Sequence, residues 1–387
     1  MMAKPVLALE SVAGRNVERA PAKVSTESES GWQIKPRWRL QYDVAEIDGP
    51  DGLRGEGTFN AIRRARLGFD IKMPHGFSAR IDGEVHADPP VLVDAYVGWK
   101  KDAVSVVVGQ QKAVTSIDLH GSNLNTSFME RPSFYNAFNF GRGTGIMASF
   151  EKKNFGVHGA VYTDSLIQLN DVKGNSVSTG VRAYWSPKVK ETYFHIAGSF
   201  NNRDLNDFAK VSTRYRQRPF VRITDQRYVG TPGLLVDSET RYGVEAAAVR
   251  KRAHFVGEVH WLEANRASAS DLRFFGGYAE AGIFLTNDTR PLKGGYFGTI
   301  KPTKPVGSGG IGAVQVNVRY DRLDLNSDGI TGGKQDGYLA SVVWAPVEFV
   351  KLMVNYAKLD YTNAVVKVAG SGRYSVDVIG ARFQISY

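Results

Sequence analysis

Arg214, Arg216 and Arg218 alternate in the run RYRQR, so an extended backbone would aim all three side chains the same way. With Arg222 and Arg227 they form the densest basic stretch in the chain. Arg64 and Arg66 alternate in IRRARLGF (Ile62–Phe69), sharing a face with Asp70 and Lys72. Lys112 ends VVVGQQK, where a long stretch without periodicity begins. A guanidinium presents a fork of donors that matches a phosphate-like oxyanion, whereas an ammonium acts as a point charge. Several such groups of moderate strength along a narrow passage would replace part of an anion's hydration shell and still release it. Blander readings stand beside this one. Arg64 and Arg66 could simply balance charge in a wet lumen, Lys112 could be a rim charge, and Arg214, Arg216 and Arg218 could be a solvated loop face.

Two further residues suggest anchoring. Glu130 and Arg131 lie in FMERPSF, and a carboxylate there would fix a folded loop by pairing with a basic wall. Arg63 has the opposite register to Arg64 and Arg66, alongside Phe59, Ala61, Ala65 and Leu67. Facing lipid at mid-membrane it would cost roughly 2–4 kcal/mol. It is therefore expected at an outer rim, at a subunit contact, or on a bulge.

Other chemistries find little support. Cysteine is absent, which excludes thiolate metal sites, thiol catalysis and disulfides. The seven histidines are scattered, and no Gly-x-Ser-x-Gly or His-Glu-x-x-His motif occurs. No catalytic residue and no cofactor is expected. The sequence DLNSDGITGGKQ (Asp324–Gln335) imitates a calcium loop, but Gln335 stands where a bidentate Glu is required. An acidic loop between strands is the preferred reading, and no metal site is expected. The competing class is a barrel hydrolase with a His and a Ser on neighbouring strands, or a soluble ligand-binding β-protein.

The elements that must carry these residues alternate with period two. In FSARIDGEVHA (Phe77–Ala87) the odd positions are apolar or small and the even ones polar or charged. Trp32–Val44 alternates likewise, with Trp38, Leu40 and Tyr42 on one face and Arg37, Arg39, Gln41 and Asp43 on the other. About sixteen such segments recur to the C-terminus, with connections mostly alternating short and long. This predicts an all-β fold: a transmembrane antiparallel β-barrel of about sixteen strands with a wet, charged lumen. Residues 1–30 are expected to be a flexible periplasmic tail and 31–387 the barrel pore. Outer connections are expected at 45–57, 113–142, 165–176, 202–239, 324–335 and 360–374, and 287–309 is too long for a simple turn. A mean hydropathy of −0.27 and the lack of any run of 18 apolar residues fit a barrel, whose lumen residues dilute the lipid-facing ones. The apolar stretch at residues 6–9 is too short for a signal-peptide core, so a signal is not evident. The net charge of +10 favours anionic partners. The basic residues are spread over strands and loops, which argues against nucleic acid.

Several segments, in their order, carry a resemblance: IRRARLGF, VDAYVGW (Val93–Trp99), VVVGQQK, TSFMERPSF (Thr126–Phe134), RYRQRPFVRITDQRYVGT (Arg214–Thr231), YGVEAAAV (Tyr242–Val249), GEVHW (Gly257–Trp261) and VRYDRLDLN (Val318–Asn326). The set resembles the phosphate-selective porins O and P over roughly residues 58–387. The resemblance implies a homotrimeric sixteen-stranded channel of the bacterial outer membrane with inward-folded loops, set in outer-membrane lipid, that passes phosphate or related small inorganic anions; the alternative within the same fold is a general or pyrophosphate- or polyphosphate-preferring porin. It implies a pore ladder to which Arg64 and Arg66 contribute, and it matches Lys112 to the constriction lysine. Gln111 stands where the family usually has Phe, and Ala113–Ser116 replace a Pro-rich segment.

Overall fold

The computed structural model describes residues 26–27, 31–166 and 176–387. Sixteen barrel strands follow one another as antiparallel neighbours. The first eight are β1 (Gln33–Asp48), β2 (Gly57–Lys72), β3 (Phe77–Glu84), β4 (Val91–Lys101), β5 (Val104–Lys112), β6 (Arg142–Lys152), β7 (Phe155–Thr163) and β8 (Val177–Trp185). The second eight are β9 (Thr192–Asp204), β10 (Ser238–Arg250), β11 (Ala253–Asn265), β12 (Leu272–Phe284), β13 (Ala313–Ser327), β14 (Ile330–Val347), β15 (Val350–Thr362) and β16 (Tyr374–Ser386). β16 pairs back onto β1, from Ser386 opposite Arg39 to Asp377 opposite Asp48, and so closes the barrel. Closure leaves no open sheet edge, as a spanning sheet requires. The tail expected over 1–30 lies outside the described residues, apart from Thr26–Glu27, whose backbone pairs with Gln33–Ile34. Most of the connection at 165–176 also lies outside them.

Alternation sorts the side chains as lipid and lumen demand. On β1, Trp38, Tyr42 and Val44 are exposed outward while Arg39, Gln41, Asp43 and Ala45 are buried inward. The alternation breaks once on β2. Gln41 pairs with Arg64 but Tyr42 pairs with Ile62, so Arg63 is the extra residue of a β-bulge. Phe59 and Ala61 face the lumen before the bulge, Arg64 and Arg66 after it, and Arg63 turns inward with them. The lipid-facing cost is thereby avoided.

The expected outer loop at 324–335 is not a loop. β13 and β14 run through it as a hairpin that reverses at Asp328–Gly329, with Gly329 at a φ of 69°. The outward positions there, Asp324 and Asn326 among them, are polar, while Leu325 points inward and is fully buried in the core, so the ladder continues without an apolar outer face. Asp324 accepts from the backbone and side-chain nitrogens of Asn326, which braces the turn.

The lumen is wet on one side only. The connection after β5 folds inward and carries two short helices, α1 (Ile117–His120) and α2 (Ser133–Ala137). Its Ile117, Leu119, Phe128, Phe134 and Phe138 pack against Leu262, Phe274, Leu323, Leu359 and Val378 of the β11–β16 wall, all buried. Each such residue contributes roughly 1.5–3 kcal/mol by leaving water. The connection at 205–237 joins this core through Tyr215, Phe220 and Tyr228. From the opposite end, 285–312 also turns inward: Asn125 donates to the carbonyl of Phe297, and Arg290 pairs with Glu280 on β12 at 2.7 Å.

Gly276 on β12 makes room for α2, because a Cβ there would lie 2.5 Å from the Cβ of Phe134. Gly276→Val is expected to unseat α2 at a cost of roughly 1–3 kcal/mol. The check is a lower thermal midpoint of the heat-modifiable gel shift together with a changed single-channel current. Unchanged values for both would contradict the tight seating.

Candidate functional site

The inward loop is held by cations of the wall acting on its backbone and on one carboxylate. Arg382 of β16 donates to the carbonyl of Met129 at 2.5 Å, Arg319 to that of Glu130 at 3.3 Å, and Lys351 to those of Leu124 (2.5 Å) and Thr126 (3.1 Å). Ser341 binds the carbonyl of Ser127 at 2.7 Å. From the loop side, the backbone N–H groups of Ile117 and Asp118 donate to Glu245 and Glu258, and Ser133 donates to Asp321. Glu130 is the centre of the anchor. Arg63 grips it with two donors, Nε at 2.6 Å and Nη2 at 3.0 Å, and Arg382 adds a third at 3.1 Å. Arg382 also forks onto Asp43 at 2.6 and 2.7 Å.

Beside this plug a cavity of about 2720 Å³ runs from Lys35, Trp38 and Phe349 at the turn end to Arg214, Arg216 and Arg222 at the loop end. Fifteen arginines and lysines line it, against six carboxylates. All six carboxylates are already ion-paired: Asp70 with Arg37 and Arg80, Glu84 with Arg66, Asp94 with Arg142, Glu130 with Arg63, Asp164 with Arg203, and Glu348 with Lys301. Six of the lining cations meet no carboxylate among the described residues: Lys35, Arg64, Lys112, Arg214, Arg216 and Arg222. Arg64 is held by a neutral acceptor, Gln41, at 2.6 Å, which in turn donates to Gln384. Its charge is therefore aimed without being cancelled.

The residues singled out in the sequence come together unevenly. Arg63, Arg64, Arg66, Lys112, Glu130, Arg131, Arg214 and Arg216 all line the cavity. Lys112 donates to the carbonyls of Gly121 (2.6 Å) and His120 (3.3 Å), so it is positioned by the loop it precedes. Arg131 braces the loop internally: it stands 3.5 Å from Asp118, donates to Gly121 and lies over the Tyr135 ring at 4.7 Å. Arg218 is apart from the lining and instead binds Asp225 and the carbonyl of Thr224. The irregular path of 214–222, with only Arg216–Gln217 in a strand, sends it a different way from Arg214 and Arg216. Sequence reasoning missed the lining roles of Arg142, Arg203 and Arg241. These stand at the loop ends of their strands, where the alternation pattern gives no boundary.

The loop's ionisable groups are tuned by this setting. Burial opposes ionisation of Glu130, but the attraction and hydrogen bonds of Arg63, with Arg382 and Arg64 behind it, hold the carboxyl well below the usual range. Burial, with Arg182, His158 and Lys112 nearby, pushes His120 well below the ordinary histidine value. Two Ser–His pairs occur, Ser149–His158 at 3.1 Å and Ser186–His195 at 2.6 Å. None of the four residues lines the cavity, so neither pair is placed to meet a substrate there.

A closed sixteen-stranded antiparallel barrel with a cation-rich cavity reaching from the turn end toward the loop end and an inward-folded loop is the architecture of an outer-membrane porin. The profile of the family described as phosphate-selective porin O and P matches residues 34–387, and this chain belongs to that family. A protein of uncharacterized function from Caulobacter vibrioides is 38% identical over 364 residues, covering 92% of this chain and 74% of that protein. Among solved structures, the anion-selective porin from Comamonas acidovorans superposes with a TM-score of 0.58 at 12% identity, covering 92% and 100% of the two chains. The outer-membrane channel DcaP of Acinetobacter baumannii gives 0.57 at 12% identity over 94% and 99%. The trimer form of OmpT from Vibrio cholerae gives 0.57 at 11% over 92% and 99%. At these identities the structural likenesses establish the fold.

Glu130→Gln leaves Arg63 and Arg382 facing one another without their shared anion. Breaking such a buried pair from one side costs roughly 3–5 kcal/mol. The variant is expected to show lower stability to denaturant and noisy, enlarged single-channel currents; a quiet channel of unchanged stability would remove Glu130 as the anchor. The sign of the pH dependence follows from the depressed pKa. The anchor's contribution is complete above the unfolded glutamate value near ~4.3 and is lost only as pH falls through the lower folded value. Wild-type current is therefore expected to stay steady down to about pH 4.

Proposed function

We propose that this porin is an anion-selective channel for facilitated diffusion of phosphate or related oxyanions. One observation carries the reading: every side-chain carboxylate counted on the pore lining is already ion-paired, while Lys35, Arg64, Lys112, Arg214, Arg216 and Arg222 meet no carboxylate among the described residues. The field in the passage is therefore positive along its length, and low-dielectric walls focus it. Arg214, Arg216 and Arg222 collect anions at the loop end, and Arg64 and Lys112 receive them beside the anchor. The guanidinium fork of Arg64, fixed by Gln41, suits tetrahedral oxyanions with adjacent oxygens better than it suits chloride. Because the cations are spread along the path, binding stays moderate at each and transit is not arrested. The Comamonas porin, anion-selective by its name, supports the sign of the selectivity.

We read residues 31–387 as the pore and 1–30 as a periplasmic tail. The assembly we propose is a homotrimer in outer-membrane lipid, supported by the trimer form of the Vibrio OmpT structure. No cofactor takes part, since passage needs only a field and a bore.

The test is phosphate block of chloride current in planar bilayers. Wild type is expected to show concentration-dependent block. Arg64→Gln/Arg222→Gln is expected to need roughly tenfold more phosphate for the same block, the equivalent of about 1.4 kcal/mol. Equal block in both proteins would place the oxyanion preference elsewhere.

A further inference from the structure

Nine exposed cations cluster at the turn ends of eight consecutive strands, and the pore does not use them. Lys100 and Lys101 end β4, and Lys152 and Lys153 link β6 to β7. Lys188 and Lys190 lie between β8 and β9, and Arg250, Lys251 and Arg252 join β10 to β11. None of the nine lines the cavity. Lys100 reaches Glu151 at 3.8 Å and Lys251 reaches Glu191 at 3.3 Å. The other seven meet no carboxylate among the described residues. Against the nine cations the same turns carry three carboxylates, Asp102, Glu151 and Glu191, so a positive excess remains whose like charges repel one another and attract an external anion.

What lies next to them says which kind. Phe150, Phe155, Trp185, Phe194 and Phe255 are exposed on the outer face, each within a few residues of these cations. Trp99 pairs across the sheet with the exposed Phe77. Aromatic rings of this kind settle at the headgroup level of a bilayer. Lysine and arginine stems just beyond them run along the apolar surface and place their charges among the phosphates. The turn end of such a barrel faces the periplasm.

We propose that the β4–β11 turn arc is a collar for anionic phospholipid of the periplasm-facing leaflet. Its lysines and arginines hold phosphodiester oxygens while the aromatic ring above packs on the glycerol and upper acyl chains. An arc that follows half of the barrel's circumference, with the aromatic belt directly adjoining, fits a ring of lipid better than the single flat patch a soluble acidic protein would cover. The inference rests on the membrane orientation of a porin and is independent of which anion the pore carries.

The experiment uses the full chain reconstituted in phosphatidylcholine vesicles containing phosphatidylglycerol, with one or the other lipid carrying brominated chains. Quenching at the collar is isolated by comparison with a Trp99→Phe/Trp185→Phe control. Brominated phosphatidylglycerol is expected to quench several-fold more than its share of the bilayer, and the excess should shrink with added salt. Lys101→Gln/Lys153→Gln/Lys190→Gln/Arg252→Gln should abolish the excess, and replacing the three lysines by arginine should keep it. Heat-modifiable migration and single-channel conductance, both expected to be unchanged, show that the neutralised protein is folded. Equal quenching by the two lipids, or an excess that survives neutralisation, would overturn the collar. Neither outcome bears on phosphate block, so failure here is distinguishable from failure of the anion reading.

Discussion

The structure depends on one carboxylate. Glu130 lies between the guanidinium groups of Arg63 and Arg382, which approach from opposite sides of the β1 seam. A buried carboxylate is tolerable only when its lone pairs are met by charged donors, and two wall arginines are tolerable together only when an anion separates them. Each side therefore requires the other. The same contact brings Met129 to Arg382 and Phe128 beneath Arg319, whose guanidinium lies 4.3 Å from the ring centre. Once the loop is fixed there, its apolar residues have only the β11–β16 wall to cover, and the hydrophobic core forms inside the barrel.

The core determines the electrostatics of the opening that remains. Apolar packing fills one flank, so the open passage runs along the arginine-bearing strands. There the acids are not free. They hold arginines in place, as Asp70 does between Arg37 and Arg80, and the charge left over is positive. Carboxylates and neutral amides position the cations, with Gln41 holding Arg64, so the wall keeps a fixed set of positive groups toward the passage. The bulge at Arg63 belongs to the same economy of space: it lets two consecutive arginines face inward, one serving the anchor and the other the passage.

Much of this was legible in the sequence, for identifiable reasons. A strand between lipid and water must alternate, so Trp38, Leu40 and Tyr42 against Arg39, Gln41 and Asp43 gave both strand and orientation. The inward face of Arg64 and Arg66 followed from the same rule. The direction of Arg63 did not, because a bulge is defined only against the partner strand, and a bulge was one of three readings left open. That Glu130 would anchor a loop could be argued from charge. That Arg382, 252 residues away, would share it could not, because the contact exists only once the barrel closes. The inward apolar residues Leu262, Phe274 and Leu323 read as barrel wall, but that they pack on the loop is a tertiary fact. The stretch 324–335 read as a loop because its outward residues are polar and its one fully buried apolar residue, Leu325, is too little to show a period-two pattern.

The central claim is that the cations left unpaired on the lining set the sign of what passes. The most direct measurement is the zero-current potential of single wild-type channels across a potassium chloride gradient. The account predicts a potential close to the chloride equilibrium value. A potential near zero, or one displaced toward potassium, would contradict it.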